Sequence, residues 1–550
     1  MADTSYDAVI MGGGHNGLVL GCYLAMNGVK VGVFEEKWEL GGGACSEEYT
    51  APGFISNPCA TSIRFGYFPP YRDLKLRDYG LKFIYPKQNG SAIYDDDTCI
   101  ITRPCYQLDE ETLEVKEIPG AAEENYKSVA AVSQRDADTN ERLRDLNEKY
   151  WKEAIMEYVL SPPAPDGEKD AMAKLMEDPA MGMDPRYRFM TAGEIAYDLY
   201  ESDHMRAYWM RSTMSATGCL PGAVPSLAGL GFALAQLIGG SPAGLTVGGT
   251  HTIAHALQKF ISSHGGQFWV HSPIAKVLVE NGVARGIRLQ DGTEIEAKKM
   301  VISNLDPLQT LEMLGEEIVG AETLRKARNL DVSQGPIWWG SMALHEPPKY
   351  RIEANMPDAV CYRNYLLPVD AQYMRYRYPA EIFTRGYSDR VIHPYHNSHF
   401  DPNRAPAGKY ELMFEEYAPP AFYWDLRGWL KKKDEFFEAM LKRWQFFAPN
   451  MTWDNIIAVH FNSPMEIQMR NSAMRGGQQF HISNIASQGG QFRPLPGLSR
   501  YKMPVDGLYL TSASAHPMGA MIGWVGYSCY KVLVEDFGLR KIWEENGRPY

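Results

Sequence analysis

Gly12, Gly14 and Gly17 form a Gly-x-Gly-x-x-Gly run between an apolar stretch, YDAVIM, and a second one of helical spacing, GLVLGCYLAMNG. Glu35 follows 18 residues after Gly17, at the end of the next apolar run, VKVGVFEE. Such spacing suits the ADP half of a dinucleotide. The first glycine permits a tight turn, the second lets pyrophosphate approach the backbone, and the third lets helix pack on strand. The helix start then offers unpaired N–H groups and the positive end of its dipole to the phosphates. An acid at the end of the second strand accepts from ribose hydroxyls and repels the 2′-phosphate of NADP.

The elements that must position these residues read as a βαβ unit ending near Glu35. Residues 121–160 carry the spacing of charged amphipathic helices. HTIAHALQKFISSHGG is a helix closed by a glycine pair, and the passage after it reads as strands joined by ENG and QDG turns. DGLYLTSASAHPMGAMIGWVGYSCYKVLVED reads as strand, glycine loop and helix. With 550 residues, no internal repeat and no low-complexity linker, the chain is expected to weave two domains from non-contiguous pieces.

A net charge of −12 argues against nucleic-acid binding, which needs a basic surface. The eight cysteines lack metal-ligand or disulfide-framework spacing, so no metal site is expected. Residues 8–29, 212–258, 476–492 and 507–530 contain no Lys, Arg, Asp or Glu. The second of these would ordinarily hold about ten charges. Its prolines and glycines interrupt any run of the roughly 20 apolar residues a bilayer crossing needs. It reads either as buried core or as backbone packed close to a large ligand. The start, MADTSYDAV, shows no signal-peptide pattern. The expected location is cytoplasmic, with a membrane-surface contact left open.

EEKWELGGGACSEE, with Gly41 and Gly42 just past the acid, resembles the second glycine motif of FAD-binding oxidoreductases such as amine oxidases and phytoene desaturases. The C-terminal strand–loop–helix resembles their closing flavin motif, and no second Gly-x-Gly-x-x-Gly exists for a separate NAD(P)H domain. GGGHNGL, SQRDAD, YESDHMRAYW, VISNLDP, DPNRAPAGK and SAHPMGA extend the likeness over nearly the whole chain. Together they resemble the phytoene-desaturase-like family of FAD-dependent oxidoreductases, in the branch of the pyridine nucleotide-disulfide oxidoreductase domain proteins and their bacterial relatives.

The resemblance implies an α/β fold: a Rossmann-like FAD-binding domain of the glutathione-reductase/amine-oxidase type with an interleaved α+β substrate domain. The FAD domain is expected at 1–85, 240–330 and 495–550, and the substrate domain at 86–239 and 331–494. FAD would be held by Gly12, Gly14, His15, Asn16, Gly17, Glu35, Gly41, Gly42, Ala44, Val277, Asn304, Ser514, Met518, Gly519 and Ile522. Met518 and Ala520, Thr511 and Ser512, and the non-acidic 475–497 stretch depart from the family pattern and imply a specialised substrate face.

Flavin takes a hydride at N5, and an apolar substrate needs an apolar cleft beside it. Ile63, Phe65, Tyr67, Phe68, Trp338, Trp339, Phe480 and Trp524 are candidate walls. Arg64, Tyr67, His481 and His516 are the candidates for handling a proton or polarising a group. The leading expectation is a dehydrogenase or desaturase for a hydrophobic alicyclic or isoprenoid substrate, passing electrons to oxygen, a quinone or a carrier protein. An amine oxidase, a non-redox isomerase or hydratase on bound FAD, and a flavoprotein scaffold are the alternatives.

Overall fold

The computed structural model of the chain describes residues 4–61, 63–239 and 243–550. The boundary expected at 239/240 lies outside the described residues.

The first sheet orders its strands Ile274–Glu280, Val283–Leu289, Glu294–Ser303, Ser5–Met11, Val31–Phe34, Gln267–Trp269. Ser5–Met11 lies parallel to both of its neighbours, which is why its sequence is almost continuously apolar: both faces are covered. Glu294–Ser303 serves two partners along one edge. Its first half pairs antiparallel with Val283–Leu289, and its last residues pair parallel with Leu508–Leu510. The strand ends at Met11, Ser303 and Leu510 therefore lie side by side, at the carboxyl end of the parallel strands, where open α/β sheets bind ligands.

The helix His15–Met26 leaves this sheet edge through Gly12, whose φ of 89° lies in the region glycine enters without steric cost. Beside it runs the helix Trp524–Phe537. Their axes come so close that a Cβ on Gly526 would sit 2.4 Å from the Asn16 carbonyl oxygen.

The second sheet orders Ile456–Asn462, Ile337–Leu344, Tyr410–Tyr417, His393–Tyr395, Arg363–Leu367, Gly90–Tyr94, Cys99–Thr102. All its pairs are antiparallel except Arg363–Leu367 with Gly90–Tyr94. The long helix Leu426–Phe447 covers one face with Phe436, Phe437, Met440 and Trp444. The 121–160 region is helical, as its charge spacing predicts.

The charge-free 212–258 segment supplies the end of the helix Asp203–Thr217, the helix Leu227–Leu237 and the start of His251–Ser263, nearly all buried. Ser215, Ala216, Phe232 and Gln236 of this segment also line the cavity described next. No helix among the described residues is long and apolar enough to cross a membrane.

Candidate active site

A cavity of about 740 Å³ runs from Glu35 at the edge of the first sheet to Trp339 and Arg363 in the second. Glu35 shapes its outer end. The carboxylate accepts from the Gly13 N–H at 2.8 Å and from the Lys37 N–H at 2.9 Å, and burial raises its pKa above the usual carboxylate range. The opposing wall is Ser272, Pro273 and Ile274. Val277, expected to contribute backbone groups, keeps its side chain in the core of the sheet.

The middle of the cavity is the glycine loop. Gly12, Gly14, His15, Asn16, Gly42 and Asn304 line it. Asn304 donates from Nδ2 to the Gly12 carbonyl at 3.2 Å and packs on Gly14 and Gly17. Gly41 donates to the Gly13 carbonyl at 2.8 Å, tying the second glycine run to the first, and Ala44 closes the turn on Gly41. Gly17, Gly41 and Ala44 thus shape the loop from behind its surface.

At the inner end, Ala520, Met521 and Ile522 bring the start of Trp524–Phe537 to the cavity. Ser514, Met518 and Gly519 sit one layer back. The Met518 carbonyl accepts from Trp524 Nε1 at 2.9 Å, and Gly519 lies against the Phe480 backbone.

These residues fit FAD. Both helices that start at the cavity lack a capping side chain and lack an acidic residue in the first turn, so their N–H groups are open to phosphate or flavin oxygens. Asn16 Oδ1 and His481 Nδ1 are buried beside the cavity with no partner among the described residues, which a polar ligand would supply. Bound there, FAD would supply a hydride acceptor; the protein's part is to hold it, position a C–H bond and exclude water.

The four proton-handling candidates divide in two. Arg64 and His481 line the inner end. Arg64 donates to Gln236 Oε1 at 3.0 Å and lies over the Phe232 ring at 4.5 Å. Burial first, and then neighbouring Arg363, lowers its pKa to about 9. Burial, followed by the His15 and Arg493 charges, lowers His481 to about 3, so it is a neutral imidazole.

His516 and Tyr67 are not brought to the cavity. His516 Nε2 is 2.8 Å from the Tyr158 carbonyl, its ring packs edge-on against Tyr158, and burial holds its pKa at about 4. Tyr67 turns its hydroxyl away to accept from the Leu108 N–H at 2.8 Å. Each is held by the backbone of another segment, a contact with no trace in local sequence.

Of the apolar candidates, Ile63, Trp339 and Phe480 line the inner end. Phe68 packs on Trp524, Trp338 stacks on Phe436, and Phe65 is core. Sequence reasoning missed Phe232, Arg363, Tyr395 and Glu415, which complete the chamber. Phe232 was findable in the charge-free segment. The other three come from strands of the second sheet whose approach only the fold reveals.

The model of the NAD(P)-binding Rossmann-like domain matches residues 10–74. Over 98% of its length the chain is 26% identical to a subunit of the limonene dehydrogenase of Castellaniella defragrans, covering 96% of that relative. It is 25% identical to pyridine nucleotide-disulfide oxidoreductase domain-containing protein 2 of Rattus norvegicus, over 96% of this chain and 94% of the relative. The zeta-carotene-forming phytoene desaturase of Myxococcus xanthus is 26% identical over 58% of this chain and 56% of its own. The fold is that of cyclohexylamine oxidase from Brevibacterium oxydans, with a TM-score of 0.58, 14% identity and coverage of 97% and 99%. With a dinucleotide loop, two open helix starts on one cavity and relatives along its whole length, the chain is similar to the phytoene-desaturase-like FAD-dependent oxidoreductases.

Proposed function

We propose that the chain dehydrogenates a hydrophobic alicyclic or isoprenoid molecule, delivering hydride to FAD held between the two helix starts while the second hydrogen leaves as a proton. The observation that carries this reading is the inner chamber. Its walls include Ile63, Phe232, Trp339, Tyr395 and Phe480, enough aromatic and aliphatic surface to seat an apolar body and exclude water. The full-length similarity to a limonene dehydrogenase polypeptide supports the same substrate class.

Anaerobic incubation of the holoprotein with a panel of monoterpenes and alicyclic compounds tests the reading. The expected product is two hydrogens lighter, formed in an amount matching the enzyme-bound flavin. Rearranged product of unchanged mass would replace dehydrogenation by isomerisation.

Electrons would then pass to oxygen, a quinone or a carrier protein, which reoxidation rates with each acceptor separate. A lipophilic substrate also suits a peripheral membrane contact. Phe422, Tyr423, Leu426 and Leu430 are exposed within nine residues of one another and offer the surface for it. Co-flotation with neutral lipid vesicles, abolished when Phe422 and Leu430 are replaced by serine, is the expected result.

A further inference from the structure

Arg363 begins the strand Arg363–Leu367 and lies at the inner end of the cavity with 4% of its surface exposed. Among the described residues its side chain makes no hydrogen bond and no ion pair, and its Nε is fully enclosed without a partner. The Tyr365 ring lies 5.3 Å from the guanidinium carbon, a stacking contact that leaves the N–H groups unclaimed. A guanidinium carries five N–H donors in a fixed planar fork, and buried donors without a hydrogen-bond acceptor are rare because they forfeit their hydration.

Glu415 is close enough for its charge to act on Arg363 but gives it no hydrogen bond, and both nearby carboxylates have other partners. Glu415 is 2.8 Å from His393 Nδ1 and 3.8 Å from Arg211. Glu416 accepts from the Tyr378 hydroxyl at 2.7 Å and pairs with Arg211 at 3.4 Å. On the far side the strand Gly90–Tyr94 begins with Gly90, so no side chain occupies the space about 3.5 Å from Arg363 Nη2.

We propose that the substrate is an acid: its carboxylate docks on the fork of Arg363, with Arg64 alongside, while its apolar body lies along Ile63, Phe232 and Trp339. This rests on the dehydrogenase reading and narrows its substrate class from hydrocarbons to amphiphiles with one anionic end. A planar carboxylate matches the guanidinium fork in a way that a neutral oxygen or a hydrocarbon cannot. The anchor would fix which carbon faces the flavin, giving position-selective hydride removal along an otherwise featureless apolar skeleton.

The test compares perillate with perillyl alcohol, which share one carbon skeleton, on oxidised holoprotein at neutral pH. Binding is read by the perturbed flavin spectrum and by thermal shift, neither of which needs turnover. Perillate is expected to bind at least about tenfold tighter than the alcohol. Arg363→Met should erase that preference, and Arg363→Lys should keep part of it. Equal affinities in the wild type, or a preference that survives in R363M, would overturn the proposal. The wild-type comparison stands even if R363M folds poorly. If perillate binds through Arg363 but no alicyclic or isoprenoid compound ever reduces the flavin, the dehydrogenase reading fails and the anion site stands. If neutral terpenes reduce it as well as acids do, the reverse holds.

Discussion

Glu35→Gln changes one atom in the outer wall of the cavity, and its cost can be worked from two hydrogen bonds. The carboxylate holds the Gly13 and Lys37 N–H groups at 2.8 and 2.9 Å while its remaining lone pairs face the cavity. A glutamine keeps one acceptor oxygen and sets an NH2 against the other N–H. One charge-assisted bond is lost and a buried donor is left unpaired, a loss of about 1.5–3 kcal/mol. That loss weakens the loop itself; FAD affinity falls separately, because the ribose hydroxyls lose a charged acceptor worth about 1.5–3 kcal/mol, or roughly 10–150-fold. Fluorescence titration of the apoprotein with FAD measures this, and thermal unfolding of the apoprotein separates the effect from misfolding. Because burial raises the Glu35 pKa, acidification neutralises it earlier than an exposed acid, and wild-type affinity should approach that of E35Q as pH falls. An E35Q affinity within a factor of about three of wild type, with the loop intact, would refute the role given to this acid.

Gly526→Ala would place a Cβ 2.4 Å from the Asn16 carbonyl oxygen and 3.1 Å from the Leu20 nitrogen, both backbone atoms. It should destabilise the protein by about 1–3 kcal/mol in urea unfolding and loosen FAD retention. Ala216→Leu should fill the inner chamber, slowing substrate-driven flavin reduction by roughly tenfold or more with FAD affinity unchanged. Histidine ionisation should leave no inflection in the reduction rate above pH 5. His15, His481 and His516 have pKa values lowered to about 4, 3 and 4, so each is neutral throughout that range. An inflection near neutrality that H481Q removes would contradict this.

The cofactor half of the site was largely legible because its signals are local. Gly12 to Gly17 and Gly42 act through backbone geometry that spacing alone encodes, Glu35 through a carboxylate placed by the end of the second strand, and all belong to one βαβ unit and the turn after it. The second helix start was legible for the same reason, since Ala520 to Ile522 adjoin the helix they precede. Positions behind the surface were not. Ser514 and Gly519 belong to the right loop, yet the loop shows the cavity Ala513 and Ala520 instead. The substrate end was the least readable. Trp339, Arg363, Tyr395 and Glu415 come from four strands that meet only when the second sheet forms. Tyr67 and His516 are correct residue types at plausible positions, but distant backbone groups claim their polar atoms.

Anaerobic stopped-flow absorbance tests the central claim most directly. Purified holoprotein is mixed with alicyclic and isoprenoid compounds, neutral and acidic, alongside a panel of amines. The flavin's visible band is expected to bleach with the alicyclic or isoprenoid set and not with the amines. Bleaching by amines alone, or a flavin that stays bound and oxidised with every compound, would contradict it.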